Sequence, residues 1–357
     1  MPARVIASVV SMLCILGWSA GVADGSVFRR LAGGVASFAS DGQRFVAWQH
    51  AAGGPIEVFD TRRGSVSSFA IPAGCMLANE AERVYGRVAG GGRFLLDCAP
   101  PHTEAQLLLD ARSGALIELP PLGYGDHWVA VGTDYALGLS YPTDEGKPEP
   151  SFCPQSRFEL DQRIPCLAIM GLSQKMVTYR PESLWPDLNV SGAPEICPTL
   201  RSKLITETRE SIPRFLDYSE GYYAQPTQND KSVELDRCSG SRILLRPGGT
   251  AGEPENFDVR GGLLSWDTGE PSGVDVERGS PRRFLSIYQY RARRVQRWKL
   301  PIERIREKGN GVSLSKYPLG YSTHTANAVF WIATESCEPT NVGCVARSSV
   351  VFEARMQ

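Results

Sequence analysis

A chain of 357 residues with 42% hydrophobic and 22% charged content is long and apolar enough to bury a large core, which excludes disorder. Its 38 basic and 39 acidic residues leave a formal charge of -1, so no long-range field draws nucleic acid or anionic lipid to it and any partner is selected locally. With 36 glycines and 25 prolines, the composition favours many short strands and tight turns over long helices.

The chain begins with Arg4, an apolar run from Val5 to Trp18 and a small-residue exit at Gly21-Val22-Ala23. That layout is a secretory leader, so residues 1–23 are expected to be removed on export, a retained anchor being the alternative. Leu13 precedes Cys14 where a lipidation site needs a small residue. No later stretch is apolar enough to span a bilayer, and the expected place is secreted or extracytoplasmic, in the cell envelope.

From residue 40 the chain reads SDGQRFVAW: a turn at Asp41-Gly42, then an alternating strand ending in Trp48. A second strand, Ile56 to Phe59, closes on Asp60-Thr61-Arg62-Arg63-Gly64-Ser65, where Asp can accept backbone N–H groups and Gly can take positive φ. The pattern returns as GGGRFLLDC from Gly90, with Gln106 to Leu109 and Asp110-Ala111-Arg112-Ser113-Gly114-Ala115, and again as Ser232 to Leu235 with Asp236-Arg237-Cys238-Ser239-Gly240-Ser241. Between them YALGLSY (135–141) and CLAIMGLSQKMVTYR (166–180) fit one degenerate copy, and two more follow, GGLLSW (261–266) with FLSIYQYRARRVQRW, and NAVFWIA (327–333) with SSVVFEARMQ.

Six such units, each an antiparallel run of four strands, predict an all-β fold: a six-bladed β-propeller filling residues 24–357 as a single domain. The blades are expected near 27–72, 73–121, 122–184, 185–250, 251–302 and 303–357. Five or seven blades, or two β-sandwiches, are the alternatives. At SDGQRFVAW and IEVFDTRRG the chain resembles the TolB-type, WD40-like propeller repeat, whose blades carry an S-x-D-G turn and a later strand ending in Asp then Gly. The resemblance implies the fold and an extracytoplasmic interaction role, and no reaction.

Without Cys14, eight cysteines remain, an even number that suits disulfides in an oxidising compartment. Neighbours in sequence suggest Cys337 with Cys344, Cys153 with Cys166 and Cys75 with Cys98, leaving Cys197 with Cys238; the connectivity of Cys75, Cys98, Cys197 and Cys238 stays open. No close CxxC pair supports a metal-thiolate site.

Catalytic groups are scattered. His50, His102, His127 and His324 show no metal-ligand spacing and read as loop or core-edge residues. No G-x-S-x-G elbow, HExxH, Walker loop or EF-hand is present. Asn79, Glu80, Asp126, Asp217, Asp258 and Asn310 fall near the starts of inner strands, where some propellers hold an axial calcium; a wet channel explains such polar residues as well. No catalytic residue, cofactor or metal ligand is assigned on these grounds.

The loops between second and third strands and the links between blades leave a propeller on one face. Residues 142–166, 185–197, 269–282 and 335–344 fall there, with Asp144, Glu145, Trp185, Asp187 and Glu338 as candidate binding residues. The expected protein is a monomeric, non-catalytic binding or scaffold propeller for a protein or cell-envelope ligand, with no nucleic-acid partner. The alternative is a lactonase-like hydrolase or lyase with a divalent metal in the channel. The run Arg291, Arg293, Arg294, Arg297 and Lys299 is read as an outer strand guarded by charge.

Overall fold

The computed structural model describes residues 28–79, 88–98, 106–122, 127–132, 135–140, 166–173, 177–181, 216–217, 222–226, 232–237, 242–245, 254–268, 284–300, 303–306, 313–316, 320–340 and 343–356. Among them there is no helix, and the strands form six antiparallel sheets of four or five strands plus one two-stranded hairpin.

The first described strand, β1 (Arg29–Val35), stands apart from its neighbours in sequence. The first sheet follows it: β2 (Ser37–Ser40), β3 (Phe45–Gln49), β4 (Ile56–Asp60) and β5 (Ser65–Phe69), in that order across the sheet. The second holds β6 (Cys75–Leu77), β7 (Ala89–Gly90), β8 (Arg93–Cys98), β9 (Leu107–Asp110) and β10 (Leu116–Glu118), β6 and β7 both pairing with β8. The third is β11 (His127–Val131), β12 (Tyr135–Ser140), β13 (Cys166–Gly171) and β14 (Val177–Pro181), and the fourth β15 (Leu216–Asp217), β16 (Tyr222–Pro226), β17 (Val233–Arg237) and β18 (Arg242–Leu245). The fifth is β19 (Pro254–Arg260), β20 (Leu263–Thr268), β21 (Phe284–Gln289) and β22 (Arg294–Lys299). After the hairpin β23 (Glu303–Arg306) and β24 (Ser313–Lys316), the last sheet is β25 (Gly320–His324), β26 (Ala328–Thr340) and β27 (Gly343–Arg355), completed by β1.

Each sheet is an up-and-down meander, and the N-terminal strand pairs with β27, Arg29 opposite Glu353. This is a β-propeller whose last blade is built from both ends of the described chain. The expected first unit, 27–72, therefore differs from the sheet: β1 leaves it for the last blade, where it pairs along the otherwise open edge of β27.

Neighbouring sheets pack face to face, and the strand alternation shows how. In β3, Phe45 and Ala47 join Leu95, Leu96 and Leu108 of the second blade in one core cluster, while Val46 and Trp48 join Phe330 and Ile332 of the last blade in another. In the last blade, Val329 and Trp331 turn to Leu285, Ile287 and Trp298 of the fifth. Consecutive residues thus serve opposite seams, and all five residues of β3 are buried. Backbone groups cross the seams too: the Gln49 amide oxygen accepts the Leu77 N–H at 2.8 Å, and the Gln106 amide plays the same part toward the backbone of Trp128 in the third blade.

The tight turns behave as their sequence implies. The Asp41 Oδ1 accepts the N–H groups of Gln43, Arg44 and Phe45. Asp60 Oδ1 accepts those of Arg62 and Arg63, with Gly64 at φ 69°, and Asp110 accepts those of Arg112 and Ser113, with Gly114 at φ 74°. The third such turn differs: Asp60 pairs with Ser65, but Asp236 pairs with Arg242, so the fourth blade carries one extra residue there.

The basic run is not one strand. Tyr290 to Arg293 form the turn that ends β21, and β22 begins at Arg294. Gln289 to Arg294 occupies the place of the Asp60 hexapeptide, with Arg293 where glycine stands in the others, at φ 49°. Residues 335–344 also differ from a loop. They continue β26 and β27 as a long hairpin, because the two strands keep pairing through Thr340 and Gly343.

Candidate functional site

Connection lengths divide the ends of the sheets into two unlike faces. One end carries the short turns at 41–44, 61–64, 111–115, 290–293 and 325–327. The other carries the connections 141–165, 182–215 and 269–283, all outside the described residues. Trp185, Asp187, Asp144 and Glu145 lie in these stretches, as do Cys153 and Cys197; Cys238, just after β17, is also outside the described residues. Glu338 stands on β26 opposite Val345.

A described part of that face lies at the seam between the last blade and the first. Glu335 on β26 accepts the Gly34 N–H at 2.6 Å and pairs with Arg30 at 2.5 Å, fastening the end of β1. Across Gly34, the His50 Nδ1 meets the Gly34 carbonyl at 3.1 Å and its Nε2 lies 3.4 Å from Glu57, whose carboxylate also takes the Trp48 indole N–H. His50, Glu57, Arg30 and Glu335 are all partly open to solvent. Of these four, the sequence singled out His50, as a loop or core-edge residue, and included Glu335 in the stretch 335–344 without naming it. Glu335 comes within reach of Arg30 solely because the chain ends meet in one blade.

A second cluster is buried where the inner strands of the fifth, last and first blades converge. His324 at the end of β25 is fully buried; its Nδ1 lies 3.0 Å from the Ser265 hydroxyl and 3.4 Å from Asp258 Oδ2. The Thr323 hydroxyl donates to the same carboxylate at 3.1 Å, and the Ser40 hydroxyl donates to the His324 carbonyl at 2.8 Å. A serine, a histidine and an aspartate meet here, but not as a nucleophilic triad, in which nucleophile and orienting carboxylate use opposite ring nitrogens of the histidine. Ser265 and Asp258 both approach Nδ1, and no atom of Ser265 is open to a substrate. The cluster ties three blades together.

The remaining inner-strand candidates are dispersed. Asn79 follows β6 and Asp217 ends β15, while Glu80, Asp126 and Asn310 lie outside the described residues. Among the described residues no group of three or more His, Cys, Asp or Glu side chains is placed to hold a metal ion. His127 stands on β11 opposite Leu139, and His102 is outside the described residues.

Cys75 and Cys98 form a disulfide, directly opposite each other in β6 and β8. Cys166 opens β13 opposite Ser140. Cys337 stands opposite Ala346 and Cys344 opposite Pro339, two steps out of direct register.

No family model and no curated protein sequence matches the chain. Its fold is similar to solved structures at low identity. A luciferin-regenerating enzyme shares 9% identity at a TM-score of 0.36, over 92% of this chain and 95% of that one. TolB from Acinetobacter baumannii shares 9% at 0.31, over 85% and 60%. Oligogalacturonate lyase from Vibrio parahaemolyticus shares 10% at 0.37, over 93% and 91%.

Proposed function

We propose that the chain is an exported, non-catalytic binding propeller that uses its long-connection face to hold a protein or cell-envelope ligand. The asymmetry of the two faces carries this reading: short capped turns at one end, and the extended connections 141–165, 182–215 and 269–283 at the other. Long connections on a rigid ring are where binding residues concentrate, since the scaffold lowers the cost of ordering them. Trp185, Asp187, Asp144, Glu145 and Glu338 are the proposed contacts, and clips such as Cys153–Cys166 and Cys337–Cys344 would stiffen the loops around them. The disulfide between Cys75 and Cys98 supports an oxidising compartment.

An axial-metal hydrolase or lyase is the rival. The inner-strand carboxylate that bears on it here, Asp258, is already engaged by Thr323 and His324. The test is binding of the purified protein to cell-wall extract. Trp185→Ala and deletion of 143–149 should each weaken it by about tenfold or more if these residues are contacts. Unchanged binding in both variants would sink the proposal.

A further inference from the structure

Every blade of a propeller ends in an outer strand with one row of backbone N–H and C=O groups unpaired, and native sheets usually guard such an edge with charge, proline, a bulge or brevity. Among the described residues, five of the outer strands of the six larger sheets are guarded. β1 carries Arg29 and Arg30 and two register shifts. β10 has three residues including Glu118, and β14 has Arg180 and Pro181. β18 starts at Arg242, and β22 holds Arg294, Arg297 and Lys299.

β5 is the exception. Its sequence, Ser65-Val66-Ser67-Ser68-Phe69, has no charge and no proline, and its five pairs with β4 run without a shift. Ser65 to Ser68 are exposed, and Val66 is 49% accessible despite being apolar.

At the start of this edge stands a corner rich in arginine. Arg62 and Arg63 are exposed in the turn before β5, the Arg63 side chain at 77%. Arg355 reaches over from the last blade, donating to the Thr61 carbonyl at 2.7 Å with its guanidinium beside Gly64. The carboxylates of the corner are already engaged. Asp60 holds Arg44 and the turn N–H groups and lies 3.7 Å from the Arg63 Nε, which stays 77% exposed, and Glu353, fully buried, is shared by Arg29 and Arg355.

We propose that the free edge of β5 receives an extended, acidic-ended segment of a partner protein as a fifth strand. The added strand runs antiparallel to β5, so the residues after its C-terminal end meet Arg62, Arg63 and Arg355. Main-chain bonds to the edge supply affinity, an apolar residue covers Val66, and carboxylates on the planar guanidinium groups set the register. An unpaired backbone edge is matched by another peptide backbone, which favours a polypeptide over other polyanions. A second copy of this chain, paired about Ser67, would set Ala70, Ile71 and Pro72 against the arginines and offer them no carboxylate.

The experiment titrates the full chain with a fluorescent peptide, Thr-Val-Thr-Val-Thr-Glu-Glu-Glu, reading anisotropy and amide hydrogen exchange. Binding should slow exchange at Val66 or Ser68. Val66→Lys, or a peptide with proline at its central position, should weaken binding by about tenfold, since each blocks edge pairing. The double variant Arg62→Ser, Arg63→Ser should weaken it by a similar factor and flatten its salt dependence. Deletion of 143–149 should leave it unchanged, which separates this edge from the long-connection face. Three results would overturn the proposal: equal binding by Val66→Lys and by the proline peptide, equal binding of a single-stranded oligonucleotide, or a dimer of the chain that Val66→Lys dissolves.

Discussion

Asp60 shows how much structure one side chain can organise. The Arg44 guanidinium forked onto it, joined by the N–H groups of Arg63 and Arg62, outweighs the effect of burial and holds its carboxyl down at about 2. At Asp110 burial pushes upward, but the N–H groups of Ser113 and Arg112 with the Ser113 hydroxyl outweigh it, and the group stays below the usual carboxylate range. A carboxyl depressed in the folded state stabilises fully above its unfolded value of about 4, and this contribution disappears as pH falls toward the folded value. Wild-type stability should therefore fall between about pH 4 and pH 2 more steeply than that of Asp60→Asn, which has no charge to lose there. Urea unfolding across that window measures the difference, and equal slopes would contradict the assignment. Arg293 offers a test of opposite sign. It holds φ 49° where the homologous turns have glycine. Arg293→Gly should raise stability by about 0.5–1 kcal/mol, read as a shift in urea midpoint at constant slope.

Strands and clips act on a larger scale. The Cys75–Cys98 bond joins β6 to β8 across a sequence separation of 23. Chain entropy assigns a loop of that size about 3 kcal/mol, so the double variant Cys75→Ser, Cys98→Ser should lose roughly that amount, and dithiothreitol should lower the wild-type melting temperature but not the variant's. β1 is held by its pairing with β27, by Val35 in the core and by ion pairs at its start. Its middle residues are only partly covered, and Arg29 on Glu353 with Arg30 on Glu335 hold it against β27 and β26. β5 lies regular and uncharged at its edge, the combination that makes it the proposed receiving strand.

The packing of neighbouring blades brings together groups far apart in the chain. His324, Asp258, Ser265 and Ser40 come from three blades and meet at one buried point. His324→Leu should cost about 3 kcal/mol by taking a polar neighbour from the buried Asp258 carboxylate. Adding Asp258→Asn should recover part of that loss, with a coupling above about 1 kcal/mol in a urea double-mutant cycle. Additive losses would show that the two residues act separately.

The chain itself made the repeat legible. Asp followed by Gly within a hexapeptide dictates a tight turn through local hydrogen bonds and one positive φ, and both need only the residues in the turn. The alternation in Phe45-Val46-Ala47-Trp48 likewise announced a strand, though not that both its faces would be covered. Cys75 and Cys98, in one repeat, could be matched by proximity in sequence. Other features had no local signal: β1 crossing to the last blade, Arg30 meeting Glu335, His324 meeting Asp258, and Arg355 lying beside the turn before β5. Each joins residues hundreds or dozens of positions apart, and what unites them is the packing of the last blade against its neighbours and its completion by β1. A blade cannot bury two faces alone, so every seam, and every outer edge left open to a partner, is settled by the packing of neighbours rather than by the strand that carries it.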